Sequence, residues 1–213
     1  MKKLFTAIRK NDVHTAETML AKSPSVIDEV SHGAPKKDEG QSPLQVAPKC
    51  ASYEIVHLLL AHGADVNFME AESGANTWRT PVLHDAINRA VKCSRWNSIG
   101  INGFELMSTE READEAFEIL KKMIALGANV NGKDNYGNAC INRACLQARQ
   151  ILPRDAVVCD RVLTPELRAD IKRIFDLLIE SGADMNYISP NSFGKTYKEE
   201  YGGEPVGEFL KVR

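Results

Sequence analysis

"LLLAHGADVN", residues 58–67, returns as "MIALGANVN" at 123–131 and as "LLIESGADMN" at 177–186. Each copy is the apolar end of a helix running into Gly63, Gly127 or Gly182, followed by a short polar step. Glycine is the residue that enters the left-handed conformation closing a helix at low cost. Asn67, Asn131 and Asn186 follow four residues later and are expected to tie the turn through side-chain to backbone hydrogen bonds. One helix pair cannot bury its own apolar face, so a helix ending written three times predicts stacked units.

The three glycines lie 64 and 55 residues apart, which is not a fixed period. A second phrase restores the order. "LFTA" (4–7), "SPLQVA" (42–47), "VLHDA" (82–86) and "CINRA" (140–144) each place an aliphatic residue three before an alanine. The pairs Leu4/Ala7, Leu44/Ala47, Leu83/Ala86 and Ile141/Ala144 mark one face of a first helix, with the small residue where two helices approach. Ala7 to Thr15 and Ala47 to Ile55 are both eight residues, whereas Ala86 to Ile119 is 33 and Ala144 to Ile174 is 30. The period is therefore hidden by two insertions, 90–108 and 149–163, each between the helices of one unit.

"GQSPLQVAPKCASYEIVHLLLAHGADVN" (40–67) resembles an ankyrin repeat, whose pattern is G-x-T-P-L-H-x-A, a second helix, then G-A-D-V-N. Ser42 stands for the threonine and Gln45 for the histidine. "TPVLHDA" keeps Thr80, Pro81 and His84 but adds one residue, and "GNACINRA" keeps Gly137, Ile141 and Ala144. The resemblance covers most of residues 1–201. It implies an all-α fold, an ankyrin-repeat solenoid of stacked helix pairs with finger loops and two long inter-helix insertions. One domain, 1–213, is expected, with units at about 1–36, 37–70, 75–131, 132–188 and 189–213. The last unit is expected to be a cap, with Lys198 and Tyr201 facing water in place of the aliphatic–alanine pair. His84 is expected to bond neighbouring fingers.

The insertions carry their own start signals. Thr109 with Glu112 three residues on is a capping box. Thr164 precedes Pro165 at a first helical position. The second helices of units three and four should therefore start early, near 109 and 164, pack side by side and protrude. Residues 92–107 should be replaceable by a short turn, because loop length costs little closure entropy.

The 213 residues are 43% hydrophobic and 26% charged, an ordinary globular balance. Lys+Arg 27 against Asp+Glu 29 leaves a formal net charge of −2, so no nucleic acid is expected as partner. No apolar run nears the roughly 18 residues of a membrane span. The start, "MKKLFTAIRKN", breaks its apolar stretch at Arg9 and does not read as a secretion signal. Cys50, Cys93, Cys140, Cys145 and Cys159 show no paired spacing and read as reduced thiols of a monomeric cytoplasmic protein.

No catalytic constellation emerges. "FGKT" (193–196) lacks the glycine a phosphate loop needs five residues before Gly194, where Ser189 stands. His57 and His62 do not share a helical face, His14, His32 and His84 lie in other units, and no third ligand is at hand for a metal. Cys140 and Cys145 have no histidine base beside them. The expectation is no enzyme, no cofactor and no metal.

By the resemblance, the residues just after each inner-helix alanine face a concave groove. They are Arg9 and Lys10, Lys49 and Cys50, Asn88 and Arg89, Leu146 and Gln147. Four of the eight are cationic and none acidic, which predicts a stripe attracting an acidic segment of a protein partner. Phe68, Trp78, Tyr136 and Phe193 fall in the fingers, and Trp78 beside Arg79 has the makings of an interface anchor. The partner-binding residues expected are Arg9, Lys10, Lys49, Trp78, Arg79, Asn88, Arg89, Tyr136 and Gln147. The alternative is a ligand-binding or enzymatic site built by the two insertions, with Arg95 meeting Asp155 and Asp160.

Overall fold

The computed structural model describes residues 2–74, 76–101, 103–153 and 160–211. They form helix pairs in chain order: α1 (Lys2–Lys10) with α2 (Val13–Lys22), α3 (Pro43–Lys49) with α4 (Tyr53–Ala61), α5 (Val82–Lys92) with α6 (Glu110–Ala125), and α7 (Cys140–Ala148) with α8 (Pro165–Glu180). A short α9 (Tyr197–Tyr201) is followed by a 3-10 turn at Pro205–Leu210. The first helices pack in sequence, α1 on α3, α3 on α5, α5 on α7 and α7 on α9. The second helices form a parallel row, α2 on α4, α4 on α6 and α6 on α8, closed by the 3-10 turn against α8.

The aliphatic–alanine pairs explain the first row. Leu4/Ala7, Leu44/Ala47, Leu83/Ala86 and Ile141/Ala144 are all buried, and the alanines let neighbouring helix backbones approach. α3 starts at a full capping box, Ser42 with Gln45. The Gln45 amide also donates to the Thr80 carbonyl (3.2 Å) and to Asp85 (3.1 Å), so the residue standing where the repeat pattern has histidine fastens its unit to the next.

The three endings behave alike. Gly63, Gly127 and Gly182 have φ of 83°, 91° and 93°. The following N–H groups of Ala64, Ala128 and Ala183 reach back to Leu59, Met123 and Leu178 at 3.0 Å each, satisfying carbonyls of the last turn. The asparagines act differently from expectation. The turn itself is tied by the residue two before each, as Asp65, Asn129 and Asp184 accept from the N–H of Asn67, Asn131 and Asn186 at 2.8, 3.0 and 2.9 Å. The asparagine side chain instead crosses to the next ending. Asn67 donates to the Gly127 carbonyl (3.0 Å) and accepts from Asn129 N–H (2.8 Å). Asn131 repeats this with Gly182 (2.9 Å) and Asp184 (2.8 Å). An exposed side-chain amide has no strong reason to fold onto its own turn once that turn is satisfied by a shorter neighbour. Each of Asn67→Ala and Asn131→Ala should cost about 1–2 kcal/mol, and the double change should be additive because the junctions are separate. Urea denaturation reads this; a double variant of wild-type stability would show the crossing bonds to be inert.

The C-terminal unit departs from expectation more sharply. Lys198 is exposed, but Tyr201 is 2% exposed and Tyr197 is 0% exposed. Four residues apart, they share one face of α9 and turn it into the core. Their hydroxyls remain satisfied: Tyr201 donates to Asn142 Oδ1 (2.7 Å) and Tyr197 accepts from Ala139 N–H (3.3 Å).

The second helices start where the capping signals place them. Thr109 and Glu112 form the capping box of α6, and Thr164 accepts from Leu167 N–H at 3.2 Å ahead of α8. The two helices touch and carry an Arg173–Asp114 ion pair at 2.6 Å. Their early turns are not free-standing, since Ala113, Ala116, Leu167 and Asp170 are buried. The segment before α6 explains why. Cys93 and Ser94 are buried, and Arg95 is anchored to Asp170, so residues 92–107 are not a dispensable loop. Its outer part is a hairpin of β1 (Asn97–Gly100) and β2 (Gly103–Leu106).

Candidate functional site

The proposed groove residues lie at the C-terminal ends of the first-row helices, where cations are favoured by the helix dipole. Their charge is not left uncompensated as the sequence count implied. The Arg9 side chain meets Asp38 at 2.8 Å. Lys49 lies 3.7 Å from Asp85 and also donates to Gln41. Asp38 comes from the first finger and Asp85 from the first turn of α5, places outside the eight positions counted. Burial raises the Asp85 pKa, an effect that Lys49 and the Gln45 amide partly offset. Arg89 donates to the Tyr53 hydroxyl (2.7 Å) and lies 5.4 Å from the centre of its ring. Lys10 is exposed and has no ion pair among the described residues. The even cationic stripe is thus reduced to Lys10 at one end and Arg89 further along.

Beside Arg89 the row opens into a cavity of about 310 Å³, whose lining includes Arg89, Lys92, Trp96, Met107, Gln147 and Gln150. Gln147 is 5% exposed and bonds Gln150, so it forms part of the cavity wall and not a projecting contact. Asn88 is half-buried, with a side-chain oxygen that meets no hydrogen-bond partner among the described residues. Lys92 was overlooked in the sequence although it follows Arg89 by three residues, the spacing of one helix face. Met107 gave no signal, because the hairpin that returns it here was not foreseen.

Among the finger aromatics, Phe193 is 98% exposed and Tyr136 49% exposed. Phe68 packs against the core. Trp78 is half-buried: its ring N–H donates to Asp134 (2.9 Å) and the Arg143 guanidinium lies 4.4 Å from its centre. That placement ties the enlarged finger to α7. Arg79 is half-buried, and its backbone N–H donates to Asn135 at 2.8 Å. Asp134 anchors this region. Burial works to raise its pKa, but hydrogen bonds from Asn138, Trp78 and Tyr136 outweigh it and hold the pKa low.

The insertions do meet. Asn97 exchanges two side-chain bonds with the Val162 backbone at 2.7 and 2.8 Å, and Ile99 N–H reaches the Asp160 carbonyl at 2.7 Å. The polar centre expected there is different, however. Arg95 turns to Asp170, giving it bonds from Nε (2.9 Å), Nη2 (3.0 Å) and its backbone N–H (3.0 Å). Asp160 pairs with Arg161 instead, at 3.8 Å. The guanidinium pairs with the buried carboxylate on α8 and not with the half-buried loop carboxylate. Arg154, Asp155 and Cys159 lie outside the described residues.

A larger cavity of about 600 Å³ lies between the end of α7 and the C-terminal unit, with Arg143, Arg149 and Glu204 in its lining. Arg149 and Glu204 neutralise one another at 2.6 Å. The described cysteines are free thiols. Burial raises the pKa of Cys93, sends Cys140 up to about 12 and Cys145 well above the ordinary thiol value, which keeps them protonated and poor nucleophiles. Among the described residues no three His, Cys, Asp or Glu side chains are grouped to hold a metal. No helix among them is long and apolar enough to cross a membrane.

A family model described as "Ankyrin repeat" matches residues 39–68, the span of α3, α4 and the Gly63 ending. No curated protein matches the chain. The match falls on the segment whose capping box, buried Leu44/Ala47 pair and glycine-closed second helix have just been described, and residues 39–68 are similar to an ankyrin repeat.

Proposed function

We propose that the chain is a non-catalytic protein–protein interaction module, an ankyrin-repeat solenoid whose units run at about 1–36, 37–70, 75–131, 132–188 and 189–213. The observation that carries this reading is the ankyrin-repeat match at 39–68 lying within an unbroken row of first helices, α1 through α9, each packed on the next. Fold alone does not fix function. The protonated thiols and the mutually neutralised Arg149 and Glu204 of the larger cavity add to the reading. The free thiols support action in the reducing cytoplasm. The partner is a protein segment with acidic character, met by a monomer at Lys10, Arg89 and the exposed Tyr136, with no part for nucleic acid.

The test has two stages. Affinity capture followed by purification of the captured protein should yield a saturable complex. Lys10→Glu, Arg89→Glu and Tyr136→Ala combined should then slow its association about tenfold at low salt and flatten its salt dependence. Arg9 and Lys49 are poor choices for reversal, since the change would leave Asp38 and Asp85 facing a new carboxylate. A complex whose rate and salt slope ignore the triple variant would refute the groove as the binding face.

A further inference from the structure

The hairpin between α5 and α6 has one closed edge and one open edge. On the β1 side the chain from the other insertion fills the edge, through Ile99 N–H to the Asp160 carbonyl (2.7 Å) and the two Asn97–Val162 bonds. In an antiparallel ladder, facing residues point their backbone groups alternately toward and away from each other. Ile99 faces Phe104, and Asn97 faces Leu106. Since Ile99 sends its N–H away from β2, Phe104 and Leu106 must send theirs away from β1. Among the described residues nothing meets them there. Both side chains are also open, Phe104 at 55% and Leu106 at 57% exposure. An unprotected edge flanked by apolar side chains is a template for another strand.

Directly after β2 comes Met107, whose N–H bonds the Trp96 carbonyl at 2.9 Å. These two residues line the cavity that also holds Arg89 and Lys92. Neither cation has an ion pair among the described residues. Arg89 donates to the neutral Tyr53 hydroxyl, and the nearby Glu112 already serves the Thr109 cap.

We propose that the open edge of β2 takes up an extended segment of a protein partner by strand addition, with carboxylates of that segment reaching Arg89 and Lys92 beyond Met107. The proposal rests on the reading of the chain as an interaction module and names the surface and the partner's chemistry. A second copy of this chain is the poorer occupant. Two-fold pairing through the outward groups of Phe104 and Leu106 sets Glu105 against Glu105, and like charges directly opposite are unfavourable.

The probe is an acetylated, amidated octapeptide, Glu-Glu-Gly-Val-Lys-Val-Thr-Val, which in antiparallel register sets its lysine against Glu105 and its glutamates toward the cavity. Amide exchange followed by nuclear magnetic resonance should show Phe104 and Leu106 newly protected on adding the peptide to the full chain. Leu106→Pro should abolish binding, because it removes an N–H that β1 does not use, whereas Leu106→Ala should keep the protection. Lys92→Glu, or lysines in place of the peptide's glutamates, should weaken binding about tenfold. Protection measured in the unaltered chain stands even where the proline disturbs the hairpin. No binding at millimolar peptide, binding without protection at Phe104 and Leu106, or sedimentation showing self-association that Leu106→Pro removes would each overturn the inference. A purified natural partner that binds equally well after residues 98–105 are replaced by two glycines would also overturn it while leaving the interaction module intact.

Discussion

Asp170→Ala is expected to cost about 3–5 kcal/mol of stability, the typical penalty for removing one partner of a buried ion pair. Asp170 is 1% exposed and accepts three bonds from Arg95, with Arg173 a further 3.1 Å away. Truncation would strand the Arg95 backbone N–H and leave the Arg95 guanidinium with only its longer contact to Glu110 (3.4 Å), while Arg173 keeps Asp114. The loss is greater than the worth of the pair, because the remaining charges keep their desolvation cost. Urea denaturation should show a lower midpoint with an unchanged slope. Arg95→Met should cost less than Asp170→Ala, since Asp170 keeps Arg173 (3.1 Å) and the backbone N–H of residue 95 (3.0 Å). Equal stability of Asp170→Ala and the unaltered chain would mean that the two insertions are held by other contacts.

Acid should weaken the protein through His84. The imidazole is 0% exposed, and burial first and the Arg143 charge second bring its pKa down from 6.5 to about 4, against the opposing influence of Asp134 and the Gly132 carbonyl. Among the described residues neither ring nitrogen closes a hydrogen bond of strict geometry, although the Gly132 carbonyl of the neighbouring finger faces the ring and favours its charged form. In the unfolded chain the ring takes a proton as the pH falls through about 6.5, while the folded protein refuses it until about 4. Stability from this group is therefore full above pH 6.5 and drains away as the pH falls toward 4. The whole loss is about 3 kcal/mol, with about 2 kcal/mol of it already spent by pH 5. Asp85, whose pKa burial raises, works in the opposite direction, so the comparison must be with a variant. His84→Gln should flatten the fall in urea midpoint between pH 7 and 5. A variant with the same slope would place the acid sensitivity elsewhere.

Legibility in the sequence followed the range of the interaction. The glycine endings, the aliphatic–alanine pairs and the capping signals at Thr109 and Thr164 are local, and each was found where spacing put it. Tyr201 was misjudged because a large side chain at an alanine position looks unsuited to a core, whereas the terminal α9 has room for it and Asn142 to receive its hydroxyl. The cationic stripe was misjudged because Asp38 and Asp85 reach Arg9 and Lys49 from other elements. The choice of Asp170 over Asp160 by Arg95, 75 residues along the chain, is a tertiary competition with no local trace.

The crossing asparagines have a consequence for how the molecule opens. They fasten the ending at Gly63 to that at Gly127, and that at Gly127 to that at Gly182. After α2 the chain runs through Pro24–Asp28 and never writes the glycine–asparagine ending, so the first helix pair joins its neighbour without this clasp. In a linear array, opening free energy is set junction by junction. Breathing motions should therefore begin at α1 and α2 and spread inward, while the middle of the array lets go late and together.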